Sequence, residues 1–134
     1  MLIETNYKKE PFLIFSFFRD GRSPLSPTEE TELLERAGLK YKEVVGVYKG
    51  ELERSYLVID QGDAFVRVLD LAAKADQDTI LVVDENRESQ LYFIKSSKTE
   101  YLGEFKCVPE TEARQVDSYT FDSERGAYYV TEGG

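Results

Sequence analysis

Three polar side chains stand close together in the stretch GVYKGELERSYLV, residues 46–58: Tyr48, Glu51 and Glu53. The chain contains no histidine, so a serine or cysteine triad, a histidine-ligated metal and a histidine general base are excluded. Any chemistry must use carboxylates, tyrosines, lysines, amides and backbone groups, which suits a reaction that needs no strong base. The three side chains either reach into a pocket or belong to a solvated hairpin tip, with Tyr48 covering the core at a strand end.

A second set of polar residues borders other apolar segments. Gln77 and Asp78 precede the run TILVV, where they could bind a ligand or form the polar turn between a helix and a strand. Ser16 and Arg19 lie in IFSFFRD, whose alternation places Ser16 on the same strand face as Phe18. Ser16 could simply hydrogen-bond to the backbone, and Arg19 could clamp a carboxylate or pair with a neighbouring acid. We favour the structural interpretation for both.

Several common sites have no sequence support. The nucleotide-binding patterns GxGxxG and GxxxxGK[ST] are absent. Cys107 is the single cysteine, which rules out an intrachain disulfide and favours a reducing compartment. Because no histidine can activate Cys107, we interpret it as a strand residue. We expect neither a metal site nor a cofactor.

Length and composition predict one soluble globular domain. A chain of 134 residues that is 41% hydrophobic can bury one core without a metal or a disulfide. The apolar run Phe12–Phe18 is far shorter than the roughly 20 residues that cross a bilayer, and no small-residue cleavage site follows it. We therefore expect a cytoplasmic protein. The net charge of −9 argues against nucleic acid as a ligand, but it leaves open an acidic decoy that imitates DNA.

Periodicity and capping predict the elements that position these residues. PFLIFSFFR predicts a central strand over about Phe12–Phe18 that is buried on both faces. SPLSPTEETELLERAG predicts a helix with Ser26 as N-cap, Pro27 at its first position and Gly38 as C-cap. KYKEVVGVYKG and RSYLVID predict an antiparallel pair joined through GELE, and QGDAFVRVLDLAAKA predicts a second helix that starts from Asp63. The segments TILVVDE, SQLYFIKS and SYTFDSERGAYYVTE predict further strands.

The order of these elements is strand, helix, two strands, helix, and two or three strands. It predicts an α+β fold of the ferredoxin-like kind, with two helices on one face of an antiparallel sheet. We find no internal repeat or linker, so residues 1–134 are expected to form a single domain with loose termini at about 1–10 and 131–134. We expect Tyr119, Tyr128 and Tyr129 to pack a C-terminal hairpin or a subunit interface.

Three groups of motifs occur in order over about 115 residues. FSFFR ends a predicted strand with serine, one residue and Phe-Arg. GVYKGELERS contains Gly-x-Tyr and a glutamate followed by a basic residue and serine, and DQDTILVV opens a later strand with Gln-Asp. YLGEFKCVP and YTFDSERGAYYV provide Gly-x-Phe-x-x-Val-Pro and an aromatic-Thr-x-Asp hairpin. Together they resemble the bacteriophage-encoded S-adenosylmethionine (SAM) lyases, formerly called SAM hydrolases. Tyr48 and Glu53 are closer together than in that family, and ERS leads directly into a strand, so we match Glu53 rather than Glu51 to the family carboxylate.

The resemblance implies a PII-like sheet and a homotrimer with active sites at the subunit interfaces. It implies cleavage of SAM, a small-molecule substrate, to methylthioadenosine and homoserine lactone by attack of the substrate's own carboxylate on its γ-carbon. It also implies a role against SAM-dependent host restriction or defence. The implied catalytic residues are Glu53 and Tyr48, and the implied substrate-binding residues are Gln77, Asp78, Glu51, Ser16 and Arg19.

The resemblance also implies how each group would contact the substrate. Glu53 and Asp78 would hold the α-ammonium or the ribose hydroxyls, Gln77 would recognise ribose or adenine, and Tyr48 would donate a hydrogen bond. A carboxylate tight against the sulfonium would stabilise the ground state, so the carboxylates should bind elsewhere on the substrate. Two alternatives stay open: a nucleoside-binding module of the same fold without turnover, and an acidic DNA mimic that blocks restriction. The 17 lysines and arginines spread among the acids argue against the mimic.

Overall fold

The computed structural model describes residues 10–131, which form a closed barrel of eight antiparallel strands with three helices. The strands are β1 (Phe12–Ser16), β2 (Tyr41–Tyr48), β3 (Glu51–Ile59), β4 (Thr79–Val83), β5 (Glu88–Phe93), β6 (Lys98–Val108), β7 (Ser118–Asp122) and β8 (Ala127–Thr131). The helices are α1 (Pro27–Arg36), α2 (Ala64–Lys74) and α3 (Glu110–Ala113). The order around the barrel is β1-β3-β2-β7-β8-β6-β5-β4, and β4 pairs with β1 to close it.

The prediction of a ferredoxin-like or PII-like sheet with two helices on one face is wrong, because the sheet has no open edge. The first four strands lie in the order β4-β1-β3-β2, but β4 also pairs with β5, and β2 also pairs with β7. The C-terminal segment forms the two strands β7 and β8, and the long strand β6 joins β8 to β5. Closure pairs the strand edges that an open sheet would leave exposed. The expected loose termini fall almost entirely on residues 1–9 and 132–134, which lie outside the described residues.

Strand β1 separates two hydrophobic clusters, as its predicted double burial requires. All five of its residues are buried. Leu13 and Phe15 face outward and pack in one cluster with the apolar stripes of α1 and α2, whereas Phe12 and Ile14 face the barrel interior. The inner cluster comprises Phe12, Ile14, Val44, Leu57, Ile59, Val83, Phe105 and Tyr129. Helices α1 and α2 therefore cover the outside of the barrel.

Both long helices begin where the sequence predicts. The Ser26 side chain accepts a hydrogen bond from the backbone N–H of Glu29, and the Glu29 carboxylate accepts one from the backbone N–H of Ser26. This reciprocal capping box precedes Pro27 at the first helical position. Asp63 is the N-cap residue of α2, although its carboxylate pairs with Arg67 rather than with the helix backbone. No helix among residues 10–131 is long and apolar enough to cross a membrane.

An ion pair lies inside the barrel, away from the β2–β3 turn. Lys42 shares the inward face of β2 with Val44. Its Nζ atom lies 2.9 Å from Asp122 Oδ2 and 3.6 Å from Glu124 Oε2, and both Lys42 and Asp122 are buried. Because each buried charge has an opposite charge beside it, the interior can hold polar groups at this end without leaving an isolated ion.

Removal of one partner of this pair should destabilise the barrel. In Lys42→Met the buried Asp122 carboxylate loses its ammonium contact, and we expect the free energy of unfolding to fall by about 3 kcal/mol or more. Urea denaturation measures this change. The double variant Lys42→Met/Asp122→Leu should recover most of the loss, because no ionised group of the pair remains buried. If Lys42→Met is as stable as the original chain, the pair does not support the barrel.

Candidate active site

A two-residue turn between β2 and β3 sets the positions of the first candidate residues. Its central residues, Lys49 and Gly50, both have positive φ, 50° and 84°, which is the pattern of a type I′ hairpin turn. Tyr48 then pairs with Glu51 across the two strands. Glu51 and Glu53 therefore belong to β3 and not to a loop, although the sequence predicted GELE as the connection.

Strand alternation directs these side chains toward the mouth of the barrel. Tyr48 shares a face of β2 with Val44, and Glu51 and Glu53 share a face of β3 with Leu57. Val44 and Leu57 both belong to the inner cluster. The candidate residues thus continue the inward-facing side of the barrel beyond its hydrophobic interior.

Tyr48, Glu51 and Glu53 line one cavity of about 170 Å³. Gly46 pairs with Glu53, and a Cβ atom at Gly46 would lie 3.1 Å from Ser55 Oγ and 3.9 Å from Glu53 Cγ. Glycine therefore leaves room beside the Glu53 side chain. The remaining wall of this carboxylate cavity consists of Gly21, Val47, Leu52, Ser118 and Tyr119.

The two glutamates have different surroundings. Glu51 is exposed, whereas Glu53 is half-buried, and burial raises the pKa of the Glu53 carboxyl. Within residues 10–131 no cation or hydrogen-bond donor contacts that carboxylate. A half-buried carboxylate with a raised pKa and no partner, in a cavity wall, is typical of a ligand-binding group. The geometry therefore favours Glu53 over Glu51 as the functional carboxylate.

Arg19, Gln77 and Asp78 form a neighbouring cluster that is not part of the cavity wall. Gln77 Nε2 donates to the carbonyl oxygen of Phe18 at 2.7 Å. The Arg19 guanidinium lies 3.7 Å from Asp78 Oδ1 and 3.5 Å from Asp76 Oδ2, and these charged groups are largely exposed. The Gln77 amide thus fixes the backbone just after β1 by a hydrogen bond. The ion pairs of Arg19 can rearrange because they are exposed to solvent.

Ser16 connects the two groups. Its hydroxyl donates to the carbonyl oxygen of Arg54 at 2.8 Å and accepts from the backbone N–H of Phe18 at 2.9 Å. It also pairs in register with Ser55, two residues beyond Glu53. The hydroxyl therefore uses its donor and an acceptor position on backbone groups. These contacts fix the backbone of β1 relative to β3, which is a structural role.

Behind the site lies a buried triad that the sequence analysis missed. Glu30 on α1 is fully buried and accepts from Arg54 Nε at 2.7 Å and from the Tyr56 hydroxyl at 2.8 Å. Burial alone would raise the pKa of Glu30, but hydrogen bonds from Arg54, Ser23 and Tyr56 outweigh it and hold that pKa below its usual range. Burial and the Glu30 carboxylate together raise the pKa of Tyr56. The triad ties β3 to α1 immediately beside Glu53.

One sequence signal could have revealed this triad. Glu30 lies one helical turn before Leu34 and on the same helix face, and both are buried. The sequence analysis assigned Glu30 no role beyond its place in the predicted helix. Its partner Arg54 lies on another element, so helical periodicity gave no indication of the contact.

The three C-terminal tyrosines have different but adjoining environments. Tyr119 lines the carboxylate cavity, Tyr129 belongs to the inner cluster, and the Tyr128 hydroxyl donates to Glu110 Oε2 at 3.1 Å. Tyr119 and Tyr128 also pack against each other across β7 and β8, with ring centroids 6.0 Å apart, as predicted for a C-terminal hairpin. The sequence did not predict that Tyr119 would also line the cavity. Among residues 10–131 no three carboxylate or thiol side chains are grouped so as to hold a metal ion.

A comparison with family models gives a match that spans nearly the whole barrel. The model of the S-adenosylmethionine lyase family matches residues 14–132. A search of curated proteins finds no match. The matched segment covers well over half of the chain and includes both the carboxylate cavity and the Arg19–Gln77–Asp78 cluster.

Glu53→Gln should not destabilise the protein at mildly alkaline pH. Because burial raises the folded-state pKa of Glu53, its ionisation opposes folding. This penalty is absent below the unfolded pKa of about 4.3, grows between that pH and the raised folded-state pKa, and is fully present above the folded-state pKa. We therefore expect Glu53→Gln to melt at the same or a higher temperature than the original chain at about pH 8, and to lose any advantage near about pH 4.

Circular dichroism melts at the two pH values measure this effect. Glu51→Gln is the matched control, since the exposed carboxylate should give no pH-dependent gain. A clearly lower melting temperature of Glu53→Gln at the higher pH would mean that the carboxylate supports the fold.

Proposed function

The chain belongs to the S-adenosylmethionine lyase family, and from this membership we propose that it cleaves SAM to methylthioadenosine and homoserine lactone. The family identifies an enzyme with a small-molecule substrate. The observation that supports the proposed site is the half-buried Glu53 carboxylate beside Tyr48 in one cavity, where no donor among residues 10–131 contacts it. Substrate binding at the mouth of the barrel follows from this arrangement.

The proposed reaction needs no proton transfer to break the bond. A carboxylate oxygen of SAM attacks the γ-carbon of its own methionyl chain, so a C–O bond forms as the C–S bond breaks. The electron pair of the C–S bond goes to sulfur, and the sulfonium becomes a neutral thioether. The protein needs only to fold the methionyl chain so that the two reacting atoms meet, an effect worth several kcal/mol. A chain without histidine and without a cofactor can supply this positioning.

In this reaction the carboxylates bind parts of SAM other than its sulfur. Glu53 accepts hydrogen bonds from the ribose hydroxyls or the α-ammonium, and Tyr48 donates a hydrogen bond to the substrate. Asp78 and Arg19, whose ion pair is exposed, reorganise around the charged methionyl end. Gln77, whose Nε2 atom donates to the carbonyl oxygen of Phe18, recognises the ribose or the adenine of SAM through its amide group. A carboxylate against sulfur would favour the cation over the less charged transition state and slow the reaction.

We also propose that loss of SAM in the cytoplasm counteracts SAM-dependent host restriction, and that the protein acts as a homotrimer. Tyr48 and Leu52, at the mouth of the barrel, are 59% and 66% exposed. Exposed apolar side chains beside a ligand site are typical of a surface covered by another subunit.

Light scattering of the purified protein tests the trimer. We expect a particle of about three times the chain mass of 15.4 kDa. Leu52→Glu should weaken the assembly, whereas Val66→Glu, at an equally exposed position on α2, should leave the mass unchanged. A monomer at micromolar concentration would argue against a shared site.

A rapid-quench incubation with SAM tests the reaction. Chromatography should show methylthioadenosine and homoserine lactone, with the lactone preceding homoserine because water enters only after the C–S bond has broken. Glu53→Gln should lower kcat/KM by about 100-fold, and Glu51→Gln by less than about tenfold, because the exposed carboxylate is more easily replaced by water. The KM of the original chain should rise as the pH falls through the raised pKa of Glu53, and Glu53→Gln should lack this rise.

Two results would contradict the proposal. Direct formation of homoserine with solvent oxygen at the γ-carbon would identify water as the nucleophile. Absence of any product, together with binding of SAM, would indicate a binding module without turnover.

A further inference from the structure

A second cavity lies inside the barrel and adjoins the carboxylate cavity. Its volume is about 350 Å³, and it shares Tyr48, Ser118 and Tyr119 with the carboxylate cavity. Its deeper wall is apolar and consists of Leu81, Leu91, Leu102, Phe105 and Tyr129. We call this space the lumen cavity.

The position of the lumen cavity follows from the packing of the barrel interior. An eight-stranded barrel either fills its interior with side chains or holds one small ligand. Toward one end, Lys42 pairs with Asp122, and the rings of Phe105 and Tyr129 stack with centroids 5.2 Å apart. Toward the Tyr48 end, the half-buried leucines leave a space within the range of about 300–1,000 Å³ that is usual for small-molecule pockets.

We propose that the lumen cavity binds the adenine ring of SAM and of the methylthioadenosine product. This inference rests on the proposed function and extends it, because it divides the substrate between two cavities. The planar base with its apolar faces enters between leucine and aromatic side chains, while the ribose and the methionyl chain stay at the mouth beside Tyr48 and Glu53. Thr120 lines the lumen cavity and pairs in register with the inward-facing Gly46, so its hydroxyl can meet the polar edge of the base.

The charge distribution supports this division. The cationic and hydroxyl-bearing parts of SAM match the carboxylate cavity, where Glu51 and Glu53 lie. None of the described residues that line the lumen cavity is charged. A neutral heterocycle can leave water for such a wall at little cost if its edge is hydrogen-bonded. A ligand with a neutral planar end and a charged flexible end fits both cavities in one orientation only.

Calorimetric titration with methylthioadenosine tests the lumen cavity. Leu91→Phe reduces the space inside the lumen, and we expect it to weaken methylthioadenosine binding by about tenfold or more, a loss of about 1.4 kcal/mol. The control Val66→Phe adds a ring on the exposed face of α2 and should bind as the original chain does. S-methylmethionine, which carries the sulfonium and methionyl groups but no adenosine, should inhibit SAM cleavage equally in Leu91→Phe and in the original chain.

Methyl NMR of the unaltered chain provides a test that does not depend on a variant folding. Methylthioadenosine should produce ring-current shifts at the methyl groups of Leu81, Leu91 and Leu102. Equal binding by Leu91→Phe, or product binding without shifts at these leucines, would overturn the lumen site while SAM cleavage remained intact. If the original chain neither cleaves SAM nor binds methylthioadenosine, the proposed function and the lumen site both fail.

Discussion

Closure of the sheet is the constraint on which the rest of the structure depends. When β4 pairs with β1, no strand edge is left open, and each strand must present one face to the helices or solvent and the other to a narrow interior. The residues on the inward face of β2 show four ways in which the sequence fits the narrow interior of the barrel. Lys42 forms an ion pair, Val44 packs in the inner cluster, Gly46 leaves space, and Tyr48 borders both cavities.

The same closure makes the register of β3 decisive for the site. Glu53 faces inward and Arg54 faces α1, so a slip of one residue would exchange the carboxylate for a guanidinium in the cavity. The contacts of Arg54 and Tyr56 with the buried Glu30 oppose such a slip, since it would leave a fully buried carboxylate without its donors. The triad thus holds Glu53 in the wall of the carboxylate cavity.

Local signals in the sequence predicted local structure correctly. The sequence did not predict the contacts between segments that are distant along the chain. The N-cap of α1 and the double burial of β1 depend on near neighbours, and both were predicted correctly, whereas the C-cap is Ala37 and not the predicted Gly38. The closed barrel depends on β6, whose charged and exposed residues give little apolar alternation, and on pairings that join opposite parts of the chain. For the site, Tyr48 and the two glutamates were predicted together because one hairpin carries them. The pair of Lys42 with Asp122 had no counterpart in any periodic pattern.

The raised pKa of Glu53 also bears on the chemistry proposed for the mouth of the barrel. Its cause is the partial burial of the carboxylate, and a half-buried position solvates charge less well than water does. If adenine occupies the lumen cavity, the sulfonium of SAM lies near Tyr48, where the apolar and carboxylate-lined spaces meet. Poor solvation disfavours the sulfonium relative to a transition state in which its charge is being lost. An ionised Glu53 close to the sulfur would stabilise the sulfonium and cancel this destabilisation. An ionised Glu53 bound to the ribose hydroxyls would leave the destabilisation of the sulfonium unchanged. In the proposed reaction the chemistry therefore favours a partner of Glu53 away from the sulfur, either the ribose hydroxyls or the α-ammonium.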